Sequence, residues 1–190
     1  MIKRLVIVGG PNGSGKSTFA EEYVTRFGIS YLGADAIAAE LAPLDPLSVR
    51  VEAGKQFVRR LEAAIHAGSS RVVESTLAGQ GLARHIQQAK QAGFEITLIF
   101  ITLDNPELCM SRIRERVSLG GHSVPDVDVC RRFGRSRRLF WTLYRPLADS
   151  WQLFSNTGDG FDLVATGAQE QTIAVAPDVL SYFLASLESS

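Results

Sequence analysis

A three-layer α/β/α fold around a mostly parallel sheet is what this 190-residue sequence predicts, on three observations. Residues 5–8 (Leu-Val-Ile-Val) are a continuous apolar run and 96–103 a second strongly apolar one, the pattern of strands buried on both faces of a sheet. Amphipathic stretches of helical period lie between such runs. Strand and helix therefore alternate along the chain, and crossover helices make neighbouring strands parallel. An apolar content of 45% and a charged content of 21% supply an ordinary core, and a single domain over residues 1–190 is expected.

The elements follow in order. Residues 5–8 form the first strand, and a helix from about Thr18 to Arg26 or Phe27 is capped by Gly28. Residues 29–32 are a short strand that stops at Gly33-Ala34-Asp35. Residues 36–41 are helical until Pro43 and Pro46 break them. Residues 49–67 have helical period, with Val51, Phe57, Val58, Leu61 and Ile65 facing inward and Gly68 as the stop. Residues 71–74 are a strand running into Ser75-Thr76, and 82–91 are a helix ended by Gly93. After the strand at 96–103, Asn105 and Pro106 read as N-cap and first helical residue, and Gly120-Gly121 closes that helix. A helix from Val124-Pro125-Asp126 runs to about Tyr144. Residues 151–154 form a strand, 161–165 and 172–175 pair as a late hairpin, and 177–187 are a terminal helix.

Between the first strand and first helix stands Gly10-Pro11-Asn12-Gly13-Ser14-Gly15-Lys16-Ser17, followed by Thr18. It fits the phosphate-loop (P-loop) pattern G-x-x-x-x-G-K-[ST] at every fixed position and in the strand–loop–helix context that pattern needs. Its three glycines let backbone N–H groups curl around an anion, and the following helix aims its positive dipole end at the same place. Lys16 reaches the β- and γ-phosphates of a nucleoside triphosphate, and the Ser17 hydroxyl holds Mg²⁺.

Other candidates lie at strand ends, where open α/β sheets place their chemistry. Asp35 follows the second strand. It reads as the base that takes the proton of an attacking hydroxyl, or as an N-cap for the helix beginning at Ala36. Glu74 ends the third strand and could hold a Mg²⁺-bound water or a substrate hydroxyl, with Thr76 donating to substrate.

Charge is balanced overall but placed unevenly. Sixteen of the twenty cations are Arg, and eight of these lie between Arg112 and Arg138, with only Glu115, Asp126 and Asp128 for company. Arg112 and Arg116 share a helix face; Arg131, Arg135 and Arg138 line the side of an apolar stripe of Cys130, Phe133, Phe140, Trp141 and Tyr144. Two Arg-bearing helices joined by Gly120-Gly121-His122-Ser123 read as a hinged lid over residues 112–138, with arginines neutralising phosphate in cis. His122 in that turn is a candidate substrate contact. Zero net charge and the lack of aromatics interleaved with the arginines argue against nucleic acid.

Neither an N-K-x-D segment nor L-S-G-G-Q occurs, which disfavours a guanine-specific GTPase and an ABC ATPase. A kinase for small molecules remains, ahead of an NTP-hydrolysing switch with a protein partner and of a nucleoside or nucleotide kinase. No stretch approaches the ~18 apolar residues of a membrane span, and the chain enters a strand at once. Cys109 and Cys130 read as small apolar residues in a reducing compartment, so a cytoplasmic location is expected.

These segments recur in the order of a known family. The loop Gly9 to Thr18, Gly33-Ala34-Asp35, Glu74-Ser75-Thr76-Leu77, Arg116-Val117, Gly120 to Pro125, Arg131-Arg132-Phe133 and Arg135-Ser136 together resemble the zeta-toxin-like P-loop kinases. The likeness is to the small chromosomal bacterial members also labelled predicted ABC-type ATPases, and it runs from Lys3 to Asn156. Where plasmid toxins carry N-x-D-x-[FY]-[KR], this chain reads Ala34-Asp35-Ala36-Ile37-Ala38. The resemblance implies a compact kinase with a five-stranded, mostly parallel sheet, using ATP or GTP and Mg²⁺. Its characterised members phosphorylate UDP-N-acetylglucosamine, which points to a UDP-amino sugar as acceptor and to an antitoxin protein as a candidate partner. By matching positions it implies Asp35 as base, Lys16 and Ser17 in the nucleotide loop, and Glu74 and Thr76 on the substrate side. Arg116 and one of Arg131 or Arg132 match the phosphate-clamping arginines. Asn156 falls in the subgroup's closing strand, beside the nucleotide.

Overall fold

The computed structural model describes residues 2–121, 123–168 and 171–188, with no side chain given at Glu188. The elements run β1 (Lys3–Gly9), α1 (Lys16–Phe27), β2 (Ser30–Leu32), α2 (Ala34–Leu41), α3 (Arg50–His66), β3 (Arg71–Ser75), α4 (Gly81–Gln91) and β4 (Phe94–Thr102). They continue with α5 (Pro106–Ser118), α6 (Asp126–Leu139), β5 (Ser150–Ser155), β6 (Asp162–Gly167), β7 (Ile173–Ala174) and α7 (Pro177–Glu188).

All seven strands form one sheet in the order β2-β3-β1-β4-β5-β6-β7. The first five are parallel, and β6 and β7 are added antiparallel at one edge. The five-stranded sheet expected from the resemblance is thus the parallel core of a larger one. The predicted hairpin does form, and it extends the sheet through β5 instead of standing apart. Pairing with an already formed edge satisfies the β5 backbone groups that a free edge would leave open.

β1 is central, and its alternation builds both faces. Leu5 and Ile7 point into the larger core with Val73, Leu98, Phe100, Trp151 and Leu153, covered by α3, α4 and α7. Val6 and Val8 point the other way, with Val72, Ile99 and Ile101 against Ala20 of α1. A third small cluster of Leu103, Cys109, Ile113, Val129 and Phe133 joins α5 to α6. The period-2 switch in β1 is why a continuous apolar run was needed there.

Several boundaries correct the reading from sequence. α2 starts at Ala34 with Gly33 as its N-cap and no side-chain cap bond, so Asp35 lies inside the first turn and does not cap. Val51 is 73% exposed; the buried face of α3 runs through Ala53, Leu61, Ala64 and Ile65, and Val51 stands two residues off that stripe. α6 gives way to a π-helical turn at Phe140–Tyr144, which carries the aromatic stripe into the core. Cys109 is buried as expected, whereas Cys130 is exposed. Asn105 caps α5 as expected, its Oδ1 accepting from the Leu108 N–H at 2.9 Å.

Candidate functional site

The carboxyl ends of β1, β2 and β3 converge on a cavity of about 430 Å³. The loop between β1 and α1 forms its floor. Gly10 takes φ +148°, and a Cβ there would come within 2.2 Å of the Ile101 carbonyl oxygen. Only glycine lets the loop pass this close to β4. Asn12, Gly13, Gly15, Lys16, Ser17 and Thr18 line the cavity, while Pro11 and Ser14 are buried behind it.

Lys16 is the first residue of α1 and is 7% exposed. Its Nζ donates to the Pro11 carbonyl at 2.8 Å, so the ammonium folds back across the loop. Burial lowers its pKa, opposed by the charges of Glu74 and Asp35. Both carboxylates are thus close enough to act on Lys16 electrostatically.

Glu74 pairs with Val8 in the β1–β3 register and sits at the rim of the loop. Its Oε1 accepts from Ser17 Oγ at 3.2 Å, and its Oε2 accepts from the Tyr31 hydroxyl at 2.7 Å. Burial, followed by the adjacent Glu74 carboxylate, raises the Tyr31 pKa, which keeps the phenol a donor. Tyr31 was read from sequence only as a strand residue; its role at the site shows up once β2 pairs with β3. Past Glu74 the chain turns through Leu77 at φ +53°, the only non-glycine residue with positive φ among those described. The Leu77 amide donates to Ser75 Oγ at 3.2 Å, and Thr76 lines the cavity.

α5 contributes Arg112 and Arg116, one turn apart, to the same lining, and α3 contributes Phe57. The structure brings Lys16, Ser17, Asp35, Glu74, Thr76 and Arg116 to one cavity. Three predicted residues do not line it. Arg132 of α6 still touches the loop, its Nη1 donating to Asn12 Oδ1 at 3.4 Å. Asn156, just past β5, donates to the Ser14 carbonyl at 2.9 Å and braces the loop from outside. Arg131 points elsewhere: it pairs with Asp128 at 2.8 Å and lines a second cavity that shares no residue with the first. Adjacent residues on a helix diverge by about 100°, so Arg131 and Arg132 could not both face the loop. His122 lies outside the described residues.

Ser17 and Glu74 pair a hydroxyl with a carboxylate at the end of the loop, oxygen donors suited to a hard cation. No group of three or more His, Cys, Asp or Glu that could hold a metal occurs among the described residues. A metal bound here would complete its shell with phosphate and water, the habit of Mg²⁺.

Comparison with known proteins fits this geometry. A curated protein from Haemophilus influenzae is 30% identical over 133 residues, covering 70% of this chain and 94% of its own. Among solved structures, the AvrRxo1-ORF1:-ORF2 complex with ATP superposes with a TM-score of 0.74 at 19% identity over 96% of this chain. This chain spans 63% of that protein's length. A structure of the PezAT chromosomal toxin–antitoxin system of Streptococcus pneumoniae gives 0.66 at 17% identity, covering 99% of this chain and 87% of that one. A gluconokinase from Sinorhizobium meliloti gives 0.51 at 13% identity, covering 99% and 93%. At these identities the likeness is one of fold: an α/β, P-loop kinase-like architecture. A family profile described as an AAA domain matches residues 5–136, from β1 through the loop, Asp35, Glu74 and both arginine-bearing helices, and the chain belongs to that family.

Proposed function

We propose that this chain is a zeta-toxin-like phosphotransferase that moves the γ-phosphoryl group of ATP, or GTP, to a hydroxyl of a small metabolite. One observation carries the reading: the loop with Lys16 and the carboxylate of Asp35 line the same cavity, facing Arg112 and Arg116. A cavity of about 430 Å³ is of the size that encloses small ligands.

In this mechanism the loop N–H groups and Lys16 hold the β- and γ-phosphates, and Thr18 lies at the nucleotide side. Asp35 takes the proton of the acceptor hydroxyl as its oxygen bonds to the γ-phosphorus and the bond to the β–γ bridging oxygen breaks, leaving the nucleoside diphosphate. Arg116 and Arg112 neutralise the charge spreading over the transferred group, with Arg132 acting through Asn12. Ser17 and Glu74 would hold Mg²⁺, which when bound neutralises the phosphate oxygens. Thr76 and Phe57 border the acceptor. The zeta-toxin resemblance makes a UDP-amino sugar such as UDP-N-acetylglucosamine the first acceptor to try. An antitoxin-type protein is the candidate partner, since one solved neighbour is a toxin–antitoxin system by name and another is a two-protein complex. No helix among the described residues is long and apolar enough to cross a membrane, and the proposed location is the cytoplasm.

The test is incubation with labelled ATP, Mg²⁺ and a panel of UDP-sugars, nucleosides and small polyols, read by product mass. A phosphorylated UDP-sugar supports the reading in full. Turnover of ATP to ADP that ignores every acceptor and rises with a protein partner would replace it with the switch ATPase. A phosphorylated nucleoside would make the chain a nucleoside kinase.

A further inference from the structure

A second cavity, about 770 Å³ in volume, lies between α6, α7 and the turn before α5. Its lining holds four guanidinium groups, of Arg131, Arg135, Arg137 and Arg138, against the single carboxylate of Asp104. That carboxylate is already engaged, accepting from Thr157 Oγ1 at 3.0 Å. Arg131 is held by Asp128, also at hydrogen-bond distance. Arg137 is the unusual member. It is 3% exposed, and its guanidinium carbon stands 4.8 Å from the Phe133 ring centroid and 4.7 Å from that of Phe183. Its Nε has no hydrogen-bond partner, and no carboxylate lies within 4.0 Å of it among the described residues.

Two aromatic rings lend such a cation some support, but they accept none of its N–H hydrogen bonds. A buried guanidinium normally has a carboxylate or phosphate across its donor edge. Here Arg137 lines a cavity instead, and the carboxylate that acts on its charge is the already engaged Asp104. Arg135, one turn before Arg138 on the same helix face, is exposed at its rim, and Gly134 beside it lines the same wall of α6. The opposite wall is apolar and includes Tyr182, 57% exposed on α7. A phosphate dianion has charge and oxygens enough for two guanidinium groups at once, and a flat carbon body fits an aromatic wall.

We propose that the groove between α6 and α7 is a binding site for a small organic phosphate, held by Arg137 and Arg135 with its carbon portion on Tyr182. The site is separate from the phosphate loop and does not depend on the kinase reading, because the test reads binding and not turnover.

Phenyl phosphate is titrated calorimetrically into the full chain without Mg²⁺, alongside inorganic phosphate. Lys16→Ala should bind phenyl phosphate within about twofold of the unaltered chain, since Lys16 lines the other cavity. Arg135→Glu, a surface change, should weaken it at least about tenfold by placing a carboxylate where the anion sits. Tyr182→Ala should abolish the preference for phenyl phosphate over inorganic phosphate. Arg137→Met keeps the volume between the two rings and should lose binding; if its melting curve shows it unfolded, Arg135→Glu decides alone. Loss of all binding in Lys16→Ala would assign the phosphate to the loop and overturn the proposal. So would undiminished binding in Arg135→Glu, and equal affinity for inorganic phosphate would reduce the groove to an adventitious ion only.

Discussion

The Tyr31 hydroxyl donates to Glu74 Oε2 at 2.7 Å, joining the edge strand β2 to the carboxylate that also receives Ser17. Glu74 therefore has one oxygen turned to the loop and one tethered away from it. The tether fixes which oxygen a cation beside Ser17 would meet. Burial and the neighbouring carboxylate raise the Tyr31 pKa, so the phenol stays a donor at neutral pH. Outer-shell partners of this kind commonly change metal affinity by roughly tenfold or more. Tyr31→Phe should raise the Mg²⁺ concentration for half-maximal turnover by about that factor while leaving metal-free nucleotide binding unaltered. A Mg²⁺ titration with an unchanged midpoint would make Tyr31 a packing residue only.

Lys16 should leave a mark on stability. Burial lowers its pKa from the ordinary 10.5. In the window between that lowered value and 10.5 the unfolded chain holds a proton the folded chain has shed, so stability rises with pH there. Below the window the folded state carries the desolvation cost in full. Lys16→Met removes that cost, so its melting temperature should exceed that of the unaltered chain most at neutral pH, with the gap closing as pH approaches 10.5. Thermal melts in the absence of nucleotide give the comparison. A gap that widens with pH would mean the Lys16–Pro11 hydrogen bond outweighs desolvation.

The parts legible in the sequence share a cause: each depends on neighbours a few residues away. The loop, the Gly28 end of α1 and the Asn105 cap of α5 are local chemistry, and all three stand where the residues put them. The burial of β1 on both faces was equally readable, because a continuous apolar run is a property of the strand's own residues. What was not legible depends on pairing across the chain. Tyr31 meets Glu74 only because β2 lies beside β3, and nothing in residues 29–32 announces that neighbour. Arg131 and Arg132 illustrate the same limit, since a one-residue rotation decides which faces the loop and only the seating of α6 on α5 sets it. Leu77 is the extreme case: a left-handed leucine has no sequence signal, and its side chain is held there by burial against β1.

Asp35 is exposed, sits in the first turn of α2 and makes no cap bond, so its carboxylate is free of the structural duty that position often carries. Asp35→Asn keeps size and shape and removes only basicity. Transfer to the acceptor should fall by about 10²–10⁴-fold, the usual worth of a general base, with nucleotide affinity within about twofold. Single-turnover transfer and nucleotide titration separate the two. Retention of most of the transfer rate would take Asp35 out of the mechanism.

Arg131 and Arg132 offer an internal control. Both pair with Asp128, Arg131 at 2.8 Å and Arg132 at 3.7 Å, but Arg132 also reaches Asn12 in the loop at 3.4 Å, whereas Arg131 lines the second cavity. Arg132→Ala should lower kcat by roughly tenfold or more, as loss of a charge near a transferring phosphoryl group does. Arg131→Ala should stay within about twofold, since exposed ion pairs contribute little. Steady-state kinetics on the two variants side by side checks this. An equal loss in both would mean that α6 acts as a unit and that the loop contact is incidental.

Gly15 and Asn156 are the most direct handle on the loop. Gly15 takes φ +92°, and a Cβ there would lie 2.5 Å from Asn156 Nδ2, the atom that donates to the Ser14 carbonyl. Gly15→Ala therefore suffers twice: a left-handed alanine costs about 1–2 kcal/mol, and displacing Asn156 forfeits a hydrogen bond worth about 1 kcal/mol. Asn156→Ala alone should cost only that second part. The two effects share an atom, so they cannot add. In the double variant the clash is gone, and the chain should be less destabilised than the sum of the single changes by about 1 kcal/mol. Urea midpoints for the four proteins close the cycle. Strict additivity would show that the loop, and not Asn156, yields to the new methyl group, and the brace across β5 would then have no hold on the phosphate site.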